Sequence, residues 1–186
     1  MGKGLTALIA VIAILAISII VVFNGLVRKR NTAESAWSNI DVQLKRRFDL
    51  IPNLVESVKA YAQHEKDVFV RIATLRASFD KASSPKEIGA IDQQMNMAMK
   101  QLFAVAENYP DLKASQNFLM LQEALAGTEN RIAYSRNNYN QAVMNYNTAV
   151  QTFPGLLIAG LFSFRIKEFF EAEEDEMRES VEVNFR

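Results

Sequence analysis

The stretch RRFDLIPNLVESVK, Arg46 to Lys59, places a proline, Pro52, in the middle of a segment with helical periodicity. A helix either stops at Pro52 or runs through it, and the choice decides the architecture. In a heptad frame that starts at Trp37, one column reads Trp37, Leu44, Ile51, Val58, Glu65, Ile72 and Phe79. The other reads Ile40, Arg47, Leu54, Tyr61, Val68 and Leu75. Eleven of these thirteen positions are apolar or aromatic, and the register passes Pro52 without a skip. A broken helix would restart in an arbitrary phase, so the pattern predicts one helix over about 32–81, bent at Pro52. Pro52 cannot donate to the carbonyl of Phe48, which costs about 3 kcal/mol in an isolated helix and must be offset by packing on both sides.

Two more long helices follow. Ser84-Pro85-Lys86-Glu87 has the form of an N-cap, a proline at the first helical position and a capping-box acid. It opens a helix expected over 85–109, with columns Ile88, Met95, Leu102, Tyr109 and Ile91, Ala98, Val105, and with Pro110 at its end. A third helix is expected over 115–152. Its large column is Phe118, Leu125, Ile132, Tyr139, Tyr146 and Phe153, and its small one is Leu121, Thr128, Ser135, Ala142 and Ala149. Large against small suits close antiparallel packing, and the seven-residue spacing also suits a coiled-coil oligomer. The amides of this helix, among them Asn130, Asn140, Asn145 and Asn147, are expected on a polar outer face or in hydrogen bonds between helices.

The amino terminus reads as a membrane anchor. Leu5 to Phe23 is nineteen residues without a charge, and Leu26 and Val27 extend it. This length suits a hydrocarbon core of about 30 Å, and LVRKR follows where a signal peptide would carry a small-x-small site. Six basic residues against two acidic lie between Arg28 and Arg47, which predicts the amino terminus outside and the bulk of the chain in the cytoplasm. The fold expected is therefore all-α: a transmembrane helix in segment 1–30, an antiparallel up-down bundle of three long helices in 31–153, and a short C-terminal helix in 154–172. An acidic tail, 173–186, follows; from Glu168 to Arg186 there are eight acidic residues against two basic. Three alternating legs would deliver the apolar segment PGLLIAGLFSFRIKEFF far from the anchor, to pack on the bundle or on a neighbouring chain.

Composition narrows the chemistry. The 186 residues carry no net charge, which gives no global field for nucleic acid, and no cysteine, which removes thiolate nucleophiles and Cys-based metal sites. The one histidine, His64, has valine four residues on, so a helical zinc pair does not form, and no Glu-x-x-His pair exists for a di-iron bundle. No phosphate-binding glycine loop or nucleophile elbow appears. No cofactor and no catalytic or metal-binding residue is expected. Arg47 and Glu65, charged residues in core columns, are the ionisable groups that stand out.

Three separated blocks carry a resemblance. AWSNIDVQLKRRFDLIPNLVESVKAYAQHE, ENYPDLKASQNFLMLQEALAGTENRIAYSRNNYN and FPGLLIAGLFSFRIKEFFEA resemble, in that order, the LemA family of bacterial membrane proteins. Phe23-Asn24 stands where the family pattern has Tyr-Asn. The resemblance implies an amino-terminal membrane helix, an α-helical bundle and no enzyme activity. Its motif positions, including Trp37, Asp41, Arg46, Arg47, Pro52, Asn53, Tyr109, Pro110, Asn130, Arg131, Tyr139, Asn140, Phe153 and Pro154, are expected to be architectural or interface residues. The function expected is a scaffold or interaction protein of the bacterial cell (inner) membrane. It would be anchored in the lipid bilayer through residues 5–27, form a homo-oligomer and contact other envelope proteins, without nucleic acid. Two alternatives stay open. One is a ligand-binding or enzymatic subunit using Arg47, Glu65 and the amide-rich helix. The other is a membrane-shaping protein.

Overall fold

The computed structural model describes residues 2–170. The acidic tail 173–186 and the last two residues of the 154–172 segment lie outside the described residues. Every regular element among the described residues is helical: α1 (Gly2–Lys59), α2 (Lys66–Phe79), α3 (Pro85–Glu107), α4 (Pro110–Lys113), α5 (Gln116–Gln151) and α6 (Gly155–Phe162). The chain divides into two compact units, and α1 and α5 each contribute to both.

α1 is a single helix that begins in the apolar amino-terminal stretch and passes through Pro52. The helix is continuous through residues 30–31. Its first part is long and apolar enough to cross a membrane. The side chains there, Leu8, Ile12, Leu15 and Ile19 among them, are exposed in the isolated chain.

The helix expected over 32–81 does not run that far. α1 ends at Lys59, and Ala60–Glu65 form a turn before α2. The ladder tightens there: Tyr61 N–H donates to the Val58 carbonyl, three residues back, at 3.0 Å. Buried Ala62 fills the inside of the turn. The stacked rings of Phe48 and Phe79, 4.0 Å apart, tie α2 back along α1. The heptad frame passed over this break because Lys59 and Lys66 are seven residues apart, so the register resumes in phase. Tyr61 and Glu65 fall inside the turn and are exposed, so Glu65 is not a core residue.

α3 starts as its sequence dictates. Ser84 Oγ accepts from Glu87 N–H at 3.1 Å, with Pro85 in the first turn. The Glu87 carboxylate takes the N–H of Ser83, one residue before the cap. Asn108 ends α3, and Tyr109, held extended ahead of Pro110, leads into the one-turn α4.

The reversal at 60–65 changes the count of legs from three to four: α1, α2, α3 and α5. An even count returns α5 antiparallel to α1. In the first unit Trp37 meets Tyr139 at 5.3 Å between ring centroids, while Leu26 shares a buried cluster with Tyr146 and Val150. The apolar C-terminal segment accordingly lands on the end of its own anchor helix, not far from it. Ile158 and Ala159 of α6 complete the Leu26 cluster, with Val22, Phe23 and Phe164 around it.

Candidate functional site

Two polar arrangements stand out, one in each unit. In the second unit Arg47 shares a face of α1 with the buried Leu44, Ile51 and Leu54. Asp92 occupies the matching face of α3, one turn after Ile88 and just before Met95. The Arg47 guanidinium donates through Nη1 to Asp92 Oδ1 at 3.0 Å and through Nη2 to Glu129 Oε2 of α5 at 3.1 Å. Nη2 also donates to Asn96 Oδ1.

The side chains of Arg47 and Asp92 are only 4% and 8% exposed, whereas Glu129 is 55% exposed. A buried guanidinium without counter-charge costs several kcal/mol, roughly, so this pairing is what permits an arginine in the core column. The planar fork suits the task, because its donors diverge towards three acceptors on two neighbouring helices. Among the described residues the Nε of Arg47 has no hydrogen-bond partner. A groove of about 320 Å³ runs beside the pair, lined by Arg47, Asn96, Lys100, Phe103, Gln122, Glu129 and Asn130. Its polar groups are amides, cations and one carboxylate, a set that can hold a polar ligand.

In the first unit the chain after α6 is clasped by side chains of α5. Ser163 takes a left-handed conformation, φ 56° and ψ 35°, and turns the chain out of α6. The hydroxyls of Tyr146 and Tyr139 donate to the carbonyls of Arg165 and Glu168, both at 2.8 Å. Between them the Asn147 amide donates to the Lys167 carbonyl and accepts from the Lys167 N–H, also at 2.8 Å each. One side chain thus replaces the partner strand that an extended backbone would otherwise need. Lys167 Nζ reaches Glu34 Oε1 of α1 at 3.2 Å, and the Arg30 guanidinium lies over the Phe164 ring at 5.4 Å. Burial, seconded by the charge of Glu168, pushes the Tyr139 phenol up to about 12. Burial also raises Tyr146, with Arg30 acting against the shift and Glu34 with it.

The sequence-predicted positions divide between these arrangements and the surface. Tyr139 is buried in the clasp, and Trp37 is half-buried against it. Arg47 is the centre of the ion pair, and Asn130 lies on the rim of its groove. Pro52 is half-buried between α1 and α2 in a cleft that Ile51, Phe69 and Ile72 also line. Arg46, Asn53, Pro110, Arg131 and Pro154 are exposed, and Tyr109 and Asn140 half-buried. Phe153, expected in a core column, is 79% exposed, because α5 ends at Gln151 and the column ends with it. Glu65 stands at the turn before α2, outside the groove that Arg47 lines.

Sequence reasoning missed Asp92 and Glu129, and named Asn147 only as one of several amides on α5. Asp92 carried a signal: it lies four residues after Ile88 and three before Met95, an acid on an apolar face. Glu129 carried none, since acids on a long helix ordinarily face water, and nothing in the sequence set Asn147 apart from the other amides of α5.

Comparison with known proteins adds the family. The sequence profile of the LemA family matches residues 36–185. The chain belongs to the LemA family. The match takes in Trp37, the Arg47–Asp92 pair and all of the clasp. Protein LemA of Metamycoplasma hominis is 27% identical, over 82% of this chain and 70% of its own length. Magnetosome protein MamQ of Magnetospirillum gryphiswaldense is 25% identical, over 91% of this chain and 74% of its own. Magnetosome protein MamQ 2 of Paramagnetospirillum magneticum is 24% identical over a similar span. This LemA-family chain is a membrane-associated helical protein, and the first part of α1 is long and apolar enough to cross a membrane.

Proposed function

We propose that this protein is a membrane-anchored helical scaffold that assembles with itself and with other envelope proteins, and that it carries out no reaction of its own. It would sit in the bacterial inner membrane with its amino terminus outside and its helical part in the cytoplasm. The observation that carries the reading is the outer face of α5 in the first unit. Tyr134 is 70% and Met144 48% exposed, and Asn137, Asn138, Gln141 and Asn145 lie exposed along the same stripe. The opposite face, Ile132, Tyr139, Val143 and Tyr146, is buried, and among the described residues nothing covers the stripe. Tyrosine and methionine are enriched at protein interfaces, and amides can fix register across one.

The strongest buried charges are consumed in an ion pair, as a structural role would have it. Among the described residues no group of three or more His, Cys, Asp or Glu forms a metal cage. The relatives named as magnetosome proteins are consistent with a component of a larger assembly.

The natural chain lacks cysteine, so a single Tyr134→Cys variant reports on this face directly. A short bis-maleimide added to membranes should yield covalent dimers from Tyr134→Cys and few from a control cysteine at exposed Arg46. Monomer alone from Tyr134→Cys would contradict self-assembly through α5. A second reading, a ligand-binding subunit, draws on the groove beside Arg47. A small molecule that co-purifies with the protein and is lost in Lys100→Ala would favour it.

A further inference from the structure

We infer that α6 is an interfacial membrane helix, seated in the leaflet at the C-terminal end of the transmembrane span. The inference rests on residues 5–27 crossing the bilayer, as the proposed function has it.

α6, GLLIAGLF, contains no polar side chain. One side of it is spent on the fold: Ile158 and Ala159 are buried against Leu26, Tyr146 and Val150. Among the described residues the other side has no cover. Leu156 is 56%, Leu157 64% and Leu161 72% exposed, and Phe153 just before the helix is 79% exposed. A helix that is apolar all round needs an apolar medium on every face.

The position of α6 names that medium. Phe162 and Phe164 lie edge-on to Phe23 at 4.9 and 5.6 Å between centroids. Phe23 closes the apolar run Leu5–Phe23, and the first charge after it is Arg28, so the exposed leucines stand level with the final turns of the span. Charge agrees with this depth. Arg28, Lys29 and Arg30 follow the span on α1, and Arg165 and Lys167 follow α6, so both chains turn basic just past the apolar zone. Apolar residues beneath and cations above match hydrocarbon and anionic phospholipid headgroups in that order. A second copy would explain the leucines but not this shared transition to positive charge. Gly155 and the left-handed Ser163 bracket the element, so the chain enters and leaves it abruptly.

The test uses the full chain in vesicles of mixed zwitterionic and anionic phospholipid. A nitroxide is placed at Leu157→Cys, at Ile12→Cys within the span and at Asn137→Cys on the outer face of α5. Collision with oxygen, which partitions into lipid, is compared with collision with a water-soluble nickel chelate. The oxygen-to-nickel ratio at Leu157 is expected to match Ile12 and to exceed Asn137 several-fold. A ratio at Leu157 equal to that of Asn137, with Ile12 still high, overturns the inference and leaves the anchor intact. Low ratios at both Leu157 and Ile12 overturn the anchor as well. Shielding of Leu157 from both probes, with Ile12 high, assigns the face to a second protein chain and equally overturns the inference.

Discussion

Arg47 and Asp92 face each other across α1 and α3 at 3.0 Å, both nearly withdrawn from water. The pair occupies a place that the surrounding side chains would otherwise fill with hydrocarbon. Arg47→Met removes the counter-charge of buried Asp92 and should destabilise the domain by about 3–5 kcal/mol, whereas Asp92→Leu leaves Arg47 with Glu129 and Asn96 and should cost less. The double variant should recover most of the Arg47→Met loss, because well-packed apolar residues often replace a buried pair at little cost. Chemical denaturation of the three variants checks this. A loss in the double variant equal to that of Arg47→Met would show that the pair contributes something packing cannot replace.

This pair also shows what the sequence could and could not reveal. Two positions broke the apolar columns of the first helix, Arg47 and Glu65, and they broke them for different reasons. Arg47 was a core residue with hidden partners, legible as an anomaly though not as an ion pair. Glu65 was no core residue at all, because the chain turns there. The turn contains no glycine or proline and preserves heptad phase, so neither composition nor periodicity could report it. Its consequence was larger than itself. One missed reversal placed the C-terminal segment far from the start of α1, whereas the structure packs Phe162 on Phe23. The helical class, the Ser84 cap and passage through Pro52 were readable, because each rests on local chemistry.

The buried phenol of Tyr139 predicts a pH dependence. Its native pKa, about 12, lies above the ordinary 10, so its contribution is complete below pH 10. As pH rises from 10 to 12 the unfolded state loses the proton first, and stability falls. Tyr139→Phe should be less stable than wild type at neutral pH by about 1 kcal/mol, the value of one hydrogen bond. It should also lose less stability between pH 10 and 12. Parallel curves for the two proteins would contradict the assignment.

Asn147 holds Lys167 through both ends of its side-chain amide, donating from Nδ2 and accepting at Oδ1. Asn147→Ala should therefore release the segment after α6 while leaving the second unit unchanged. The Lys167 amide should exchange with deuterium faster by at least about 10-fold, the equivalent of 1.4 kcal/mol or one to two net hydrogen bonds. Unchanged protection at Lys167 would mean that the segment is held by α6 alone.

Two glycines should respond oppositely to alanine. A Cβ at Gly155 would lie 1.9 Å from the Ala149 carbonyl oxygen, a backbone atom that cannot step aside. Gly155→Ala should lower the melting temperature and disturb the α6 contacts. A Cβ at Gly127, within α5, meets nothing within 4 Å. Gly127→Ala should stabilise by about 0.5–1 kcal/mol through helix propensity. Thermal melts of both variants give the signs, and a stabilised Gly155→Ala would contradict the packing of α6 on α5.

The central claim is that the protein works by assembly from a membrane anchor. The most direct test is the oligomeric mass of the full-length protein in detergent, beside a form lacking residues 1–29. A defined complex of several chains in the full-length sample, weakened by cysteine-directed blocking of a Tyr134→Cys face, is the predicted result. A monomer in both forms at micromolar concentration would contradict the claim.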